Sequence, residues 1–286
     1  MLFRPALRFP ADYRRLLERG SQVHRRNDLP RSRPPCFSVI TATLNRAPGL
    51  ERAIQSLQAQ DERDFEHIVV DGGSTDATVG LLQDARVGVD VWVSERDAGI
   101  SDALNKGVAL ASGEWIVLLH ADDRLAPGAL RHWKQMARSG DEADVLSCAI
   151  RFVDADGLPG REVAPDPGRM ARGMSMPHPG MAVRRSLYER IGLFRTDFRV
   201  AMDYEFTLRA QKLGARFRCD TAVVVLMQMG GLSDRELFRS RNENLRARIR
   251  WLGLRPWMIA HYAREVTRLG RGYLRWSTLS GLFSKK

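Results

Sequence analysis

The 286-residue chain lacks long apolar runs and is poor in cysteine. Its best apolar run, residues 222–227, is far shorter than the roughly 18 residues a membrane-spanning helix needs. The opening "MLFRPALRFPADYRR" places arginines where a signal peptide would be apolar. Cys36, Cys148 and Cys219 are far apart and form no C-x-x-C pair, which argues against a disulfide framework and a zinc site. We therefore expect a cytoplasmic protein with reduced thiols.

Two nucleotide-binding motifs are also missing. No G-x-G-x-x-G follows the first predicted strand, and no G-x-x-x-x-G-K-[ST] occurs in the chain. The first absence argues against a dinucleotide-dependent dehydrogenase, and the second against a P-loop enzyme.

The net charge of +11 is carried by the two ends of the chain. Residues 1–36 hold nine arginines against three acids, and residues 235–286 hold thirteen Lys and Arg against three acids. Basic ends favour an anionic surface such as lipid headgroups or nucleic acid, or are simply solvated. We expect no nucleic-acid partner, because the basic residues lie outside the domain that carries the motifs and no nucleic-acid motif is present.

Short apolar strands alternate with helices through the first half of the chain. The predicted strands are 37–43, 67–71, 89–94 and 114–119, and the predicted helices begin near residues 48, 77 and 100. This order predicts an α/β fold with a mostly parallel sheet covered by helices on both faces.

The second half is less regular. Its residue pattern predicts a helix at 128–138, a strand at 144–153 and a long loop at 154–180. Further along, the pattern predicts a helix at 203–213, one or two strands at 216–227 and a basic helix that begins with a capping box at 233–236. We divide the chain into a basic arm (1–36) with one short helix near 11–19, a central domain (37–232, with halves 37–123 and 124–232), and a basic amphipathic helical tail (233–286).

Polar residues follow each of the first four strands. Thr43 and Asn45 end the first, Asp71 ends the second, residues 94–99 follow the third, and Asp122-Asp123 follow the fourth. Ligands bind at the carboxyl ends of strands in such sheets, so these acids should share one rim. Clustered carboxylates repel unless a cation lies between them, and oxygen ligands suit Mg²⁺ or Mn²⁺ bridging phosphates.

Four segments carry a family resemblance. "SVITATLNRAPGLERAIQSLQAQ", "HIVVDGGSTDATV", "SERDAGISDALNKGVALASGEWIVLLHADD" and "VAMDYEFTLRAQKLG" resemble the successive motifs of family 2 glycosyltransferases over about residues 37–232. The resemblance implies the GT-A fold and an inverting, Mn²⁺- or Mg²⁺-dependent hexosyltransferase. Its donor would be a nucleotide-diphosphate sugar (UDP favoured, GDP or dTDP possible). Its acceptor would be a glycan or glycolipid in cell-surface polysaccharide or glycolipid synthesis, at the inner face of the plasma membrane.

The resemblance also assigns roles to residues. Asp203 would be the catalytic base, and Asp123 and Asp122 would serve the metal, with Asp122 also facing the ribose or sugar. His178 would stand at the start of the acceptor half. The donor would be bound by Asp71, which holds the base, and by Thr43, Asn45, Asp97, Asp102 and Lys106.

The chain departs from the family pattern at two positions. His120 replaces a common Asp, so His120 either joins the metal ligands or is only hydrogen-bonded. Met202-Asp203 replaces Glu-Asp, so Glu205 is a second candidate for the base. His178, between two prolines, could instead order its loop. The alternative functions are a nucleotide-sugar-binding protein without transferase activity and, less favoured, a nucleic-acid-binding protein.

Overall fold

The computed structural model describes residues 13, 23–26, 33–140, 142–154, 157–230 and 236–267. Within them the strands are β1 (Val23–Arg25), β2 (Phe37–Thr43), β3 (Phe65–Asp71), β4 (Val91–Ser94), β5 (Trp115–Leu118), β6 (Arg124–Leu125), β7 (Val145–Val153), β8 (Pro159–Val163), β9 (Met181–Arg184) and β10 (Phe217–Gln228). The helices are α1 (Ala47–Gln58), α2 (Thr78–Gln83), α3 (Ile100–Leu110), α4 (Ala129–Arg138), α5 (Arg185–Ile191), α6 (Met202–Lys212) and α7 (Leu237–Leu252).

The strands form one sheet in the order β1-β4-β3-β2-β5-β9-β7-β10-β6, with β8 added to β7. Strands β4, β3, β2 and β5 run parallel, as the alternation of strands and helices predicts. Side chains alternate between the two faces: Val39 packs with α1 and α4, and Ile40 packs with α3. Because both faces are covered, strand β2 is buried along almost its whole length. The predicted fold class is confirmed.

The second half of the sheet contains antiparallel strands that the sequence does not reveal. Strand β9 lies between β5 and β7 and is antiparallel to both, while β10 is parallel to β7. The predicted loop at 154–180 is wrong in part, because residues 159–163 pair with β7 and two 3₁₀ turns follow. Residues 217–228 form one strand with two irregularities in its pairing.

The predicted arm contacts the domain. Strand β1 pairs antiparallel with β4, and the Tyr13 hydroxyl donates to Asp102 over 2.7 Å. The remainder of the predicted helix at 11–19 lies outside the described residues.

The predicted tail begins with a helix that packs on the domain. Helix α7 buries Ala247 and Arg248 against its neighbours, and Arg248 pairs at 3.3 Å with Glu265 in a second helical segment, 256–267. Of the predicted capping box, only Glu236 lies within the described residues. No helix in the described part of the chain is both long and apolar enough to cross a membrane.

Candidate active site

Asp71 organises the end of β3. Its fully buried carboxylate accepts from the backbone N–H groups of Gly73 (3.2 Å) and Ser74 (2.9 Å), from the Ser74 hydroxyl, and from the Ser94 hydroxyl (2.6 Å). Several donors on one carboxylate compensate for its burial. Asp71 thus ties the end of β3 to the end of β4 and shapes the turn predicted to hold the donor's base.

Asn45 links the loop after β2 to the loop after β3. Its backbone has φ of 52°, a left-handed conformation that asparagine tolerates. Its N–H donates to the Ser74 hydroxyl (2.7 Å), and its Oδ1 accepts from Thr75 N–H (2.8 Å). Beside it, the hydroxyl of Thr43 is buried with no hydrogen-bond partner among the described residues. A buried hydroxyl of this kind is a candidate ligand contact, because an unpaired buried polar group is costly.

Lys106 and Asp102 lie behind the loop that follows β4. The Lys106 ammonium is mostly buried and pairs with Glu95 (2.8 Å) and Asp102 (3.2 Å), and these acids raise its pKa against the opposing effect of burial. Asp102 also accepts from the Tyr13 hydroxyl, and its pKa is lowered by its donors despite its partial burial. Both side chains therefore hold the loop in place. Their contact with the nucleotide stays a prediction.

Asp97 occupies space that only glycine leaves open. A Cβ added to Gly72 would lie 2.5 Å from Asp97 Oδ2, so a side chain there would displace the carboxylate. Asp97 Oδ1 accepts from the N–H of Gly99 (2.9 Å), immediately before α3. Asp97 therefore stands between the end of β3 and the start of α3. Its contact with the donor stays a prediction.

Asp122 and Asp123 have different environments. Asp122 is half-exposed and lies 3.5 Å from Arg46 Nε, and a side chain at Gly49 would clash with its Oδ1. Asp123 is not the rim residue that the sequence predicts: it is only 3% exposed and accepts from Gln228 N–H (3.0 Å). Burial, with a smaller contribution from Asp122, raises the pKa of Asp123 to about 7. No ion pair with Lys or Arg compensates Asp123 within the described residues.

His120 and His178 approach each other at this end of the sheet. Burial lowers the pKa of His120, and burial together with His120 lowers that of His178 to about 3, so both rings are neutral at physiological pH. The His178 ring meets Phe194 edge-on at 5.6 Å, and its Nε2 is buried without a partner among the described residues. His178 therefore offers a neutral imidazole nitrogen near the strand end.

Asp203 lies in the first turn of α6 and is half-buried. Its Oδ1 accepts from the N–H of Tyr204 (2.7 Å). The helix N-terminus should favour the ionised form, but desolvation outweighs it and raises the pKa of Asp203 to about 6. A base is most effective when its pKa lies near the working pH.

Glu205, the second candidate base, faces the protein interior. It is fully buried, and its two oxygens accept from Arg209 (3.0 Å) and from the indole N–H of Trp251 (2.8 Å). Those partners occupy both oxygens of the Glu205 carboxylate. Of the two candidates, Asp203 is the residue that is partly exposed to solvent.

The residues at the strand ends do not form a closed metal cage. Within the described residues no three His, Cys, Asp or Glu side chains converge as ligands. Mg²⁺ is commonly held by one or two carboxylates, with substrate phosphates and water supplying the rest. A cation beside the buried Asp123 would offset the desolvation that raises its pKa. The residues therefore fit an ion that arrives with a phosphate ligand.

Several residues of the site are not evident from the sequence. Ser74 and Ser94 hold Asp71, Arg46 pairs with Asp122, and glycines at 49 and 72 leave room for carboxylates. Their only sequence signal is their position next to strand ends, where a contact with a distant residue cannot be deduced.

The structure is that of an α/β protein with acidic side chains at the carboxyl ends of its parallel strands. The sequence model of "Glycosyl transferase family 2" matches residues 38–197, more than half of the chain. An uncharacterized glycosyltransferase of Mycobacterium tuberculosis is 35% identical over 184 residues, which are 62% of this chain and 69% of the relative. A PGL/p-HBAD biosynthesis glycosyltransferase of Mycobacterium bovis is 31% identical over 219 residues, 70% of this chain and 80% of the relative. The chain belongs to glycosyl transferase family 2 and is a transferase.

Solved structures share the fold. S. aureus TarS 1–349 in complex with UDP-GlcNAc has a TM-score of 0.58 and 21% identity, covering 80% of this chain and 70% of its own. The mannosyltransferase PcManGT of Pyrobaculum calidifontis, in complex with GDP-Man and Mn²⁺, has a TM-score of 0.58 and 18% identity. The match covers 97% of this chain and 88% of PcManGT. At these identities the likeness establishes the GT-A glycosyltransferase fold alone.

Proposed function

We propose that this protein transfers a sugar, with inversion, from a nucleotide-diphosphate donor to a hydroxyl of a glycan or glycolipid acceptor, and depends on Mn²⁺ or Mg²⁺. The observation that carries the proposal is a pair of desolvated acids, Asp123 after β5 and Asp203 at the start of α6. Burial raises both pKa values toward neutrality. Acids with such shifts are frequent at catalytic sites.

The two acids suit different tasks. Asp123, with Asp122 beside it, would hold a divalent ion that neutralises charge on the leaving diphosphate. Asp203 would accept the proton of the acceptor hydroxyl as that oxygen attacks the anomeric carbon. A single displacement of this kind inverts the carbon and needs no nucleophilic side chain.

The donor half supports a nucleotide ligand. Asp71 and Asn45 shape the two loops that follow β2 and β3. The buried Thr43 hydroxyl, which has no hydrogen-bond partner in the described part of the chain, lies with them. Similar folds bind UDP-GlcNAc in TarS and GDP-Man with Mn²⁺ in PcManGT. We favour UDP as the nucleotide, with GDP and dTDP as the alternatives.

A donor panel tests this function. Hydrolysis and transfer are measured with UDP-, GDP- and dTDP-sugars, each with Mn²⁺, Mg²⁺ or a chelator, and NMR gives the anomeric configuration of the product. We expect turnover of one donor class, loss of turnover with chelator, and inverted product. Retained configuration or full activity in chelator would contradict the mechanism. Donor binding without any turnover would identify a nucleotide-sugar-binding protein instead.

The pH dependence tests Asp203 directly. At saturating donor and acceptor we expect the transfer rate to fall as pH drops below about 6, approaching tenfold per pH unit, because the base becomes protonated. His178 does not titrate in this range, since burial lowers its pKa to about 3. A rate that stays constant from pH 7 to pH 5 would contradict the assignment. The residual activity of an Asp203→Asn variant should lack this dependence.

We also propose that the tail binds an anionic membrane surface, which would place the acceptor on a lipid. Helix α7 packs on the domain through one face and exposes Phe238 and Ile249 on the opposite face, three turns apart. The segment 256–267 exposes Trp257 and Ile259. Exposed arginines accompany these side chains, namely Arg250, Arg255 and Arg264. Apolar side chains beside basic ones favour a headgroup layer, where each basic residue contributes about 1 kcal/mol.

Vesicle flotation tests the membrane proposal. We expect binding to phosphatidylglycerol vesicles that weakens with salt and is small for phosphatidylcholine vesicles. Replacing Trp257 and Ile259 together by serine should lower the affinity about tenfold or more, because both side chains lose apolar burial. The matched control is Leu158→Ser, an exposed apolar residue on the β7–β8 turn. Equal binding by the double variant and the control would contradict the proposal.

A further inference from the structure

Glu243 of α7 reaches the chain segment that leads into α6. Its buried carboxylate accepts from three consecutive backbone N–H groups, those of Arg199 (3.1 Å), Val200 (2.8 Å) and Ala201 (2.9 Å). Ala201 immediately precedes α6 and, as an alanine, provides no side-chain cap for that helix. Glu243 therefore orders the entry to the helix that carries Asp203.

The hydrogen bonds that the Glu243 carboxylate accepts belong to a strong class. Hydrogen bonds to an ionised carboxylate are shorter and about twice as strong as neutral ones. A buried carboxylate also fixes the positions of its donors, since a donor or acceptor left unpaired there is destabilising. The N–H groups at 200 and 201 are thus held to α7 rather than to water.

A second contact joins the same two helices. The indole N–H of Trp251, also on α7, donates to Glu205 (2.8 Å), which pairs with Arg209 one turn later on α6. Asp203 lies between these two attachment points, at 201 and 205. The chain on both sides of Asp203 is thus attached to α7, which lies beyond the region 38–197 that matches the family.

We propose that Glu243 is a positioning residue for glycosyl transfer, holding the backbone at 199–201 so that Asp203 is aligned with the acceptor hydroxyl. This inference rests on the proposed role of Asp203 as the base. Misplacing a catalytic group by about 1 Å can lower a rate about 10²-fold. The C-terminal helix is then part of the catalytic apparatus.

The test separates kcat from KM. We expect Glu243→Ala to lower kcat about 10- to 100-fold and to leave the KM for donor within about twofold, because the donor residues lie on other strands. Glu243→Gln keeps a carbonyl acceptor for the N–H groups of Val200 and Ala201 and should recover kcat to within about threefold. The matched control is Glu236→Ala. Glu236 pairs with the side chain of Arg199 (3.5 Å) rather than with the backbone, so its loss should leave kcat nearly unchanged.

A double variant distinguishes this inference from the assignment of the base. In an Asp203→Asn background, Glu243→Ala should lower kcat no further, because the group that it positions has already been lost. A full additional loss in that background, or wild-type kcat for Glu243→Ala, would overturn the positioning role while Asp203 stays the base. Near-normal kcat for Asp203→Asn alone would overturn the base and this inference with it.

The alanine variant must fold for this comparison, and thermal unfolding measures whether it does. If it does not fold, Glu243→Asp decides the question. That variant keeps the charge, but its shorter side chain cannot reach all three N–H groups, and we expect kcat to fall at least about threefold. An unchanged kcat for Glu243→Asp would overturn the proposal.

Discussion

Asp203→Asn is expected to reduce glycosyl transfer by about 10²–10⁴-fold, the range typical for loss of a general base. Asparagine has nearly the same shape, and its carbonyl oxygen can still accept the hydrogen bond from Tyr204 N–H that Asp203 Oδ1 accepts now. The variant therefore removes basicity with little change in structure. Donor affinity should stay within about twofold, because the acids at the ends of β3 and β5 are untouched.

Transfer and donor affinity must be measured on the same preparation of the Asp203→Asn variant. A control, Asp220→Asn, removes one carboxylate from β10, where Asp220 lies 3.4 Å from His132. If Asp203 only stabilises the N-terminus of α6, asparagine should replace it well, since Asp and Asn are both favoured at helix N-termini. Transfer within a few-fold of wild type would therefore reject Asp203 as the base.

Asp123→Asn is expected to remove most of the divalent-ion dependence of nucleoside diphosphate binding. Asparagine is a better choice than alanine, because Asp123 is buried and its Oδ1 accepts from Gln228 N–H. Alanine would leave that N–H unpaired, at a cost of about 1–3 kcal/mol in folding stability. Asparagine keeps the acceptor but lacks the negative charge that an ion requires.

Calorimetry with and without Mn²⁺ measures this effect. For wild type we expect the ion to strengthen binding at least about tenfold, equivalent to about 1.4 kcal/mol. For Asp123→Asn we expect the ion to make little difference. The control is Asp84→Asn, which removes a partly exposed carboxylate that pairs locally with Arg86. An unchanged effect of Mn²⁺ in the Asp123 variant would reject Asp123 as a metal ligand, and His120→Ala should have a milder effect.

The sequence predicts the elements whose signal is local. Strand β2, with its run of β-branched residues, and helix α3, with its apolar periodicity, occur where they are expected. Strand β9 is not evident from the sequence, because it has only four residues, directly after the predicted loop, and its backbone pairs only with the distant strands β5 and β7. Strand β8 is not evident from the sequence for the same reason, because its backbone hydrogen bonds are made with β7.

In the candidate site, too, the features with a local sequence signal could be predicted and those that depend on distant contacts could not. Because parallel strands end at one edge, the positions of Asp71 and Asp122 could be predicted from the strand ends alone. Their environments could not be predicted. Arg46 approaches Asp122 from another loop, Asp123 is covered by β10, and Glu243 reaches α6 from more than 40 residues away. Burial and pairing depend on these distant contacts, and the raised pKa values of Asp123 and Asp203 depend on burial.

Strand β1 has a consequence for the behaviour of the chain in solution. Without it, β4 would present a row of unpaired backbone groups at the margin of the sheet, a template on which strands of other molecules can add. Strand β1 covers that row over three residues, with His24 stacked on Trp92 at 3.8 Å. It is itself short, and its His24 and Arg25 are exposed, so it offers a poor surface for further strand addition. We therefore expect strand β1 to reduce strand addition between copies of this chain.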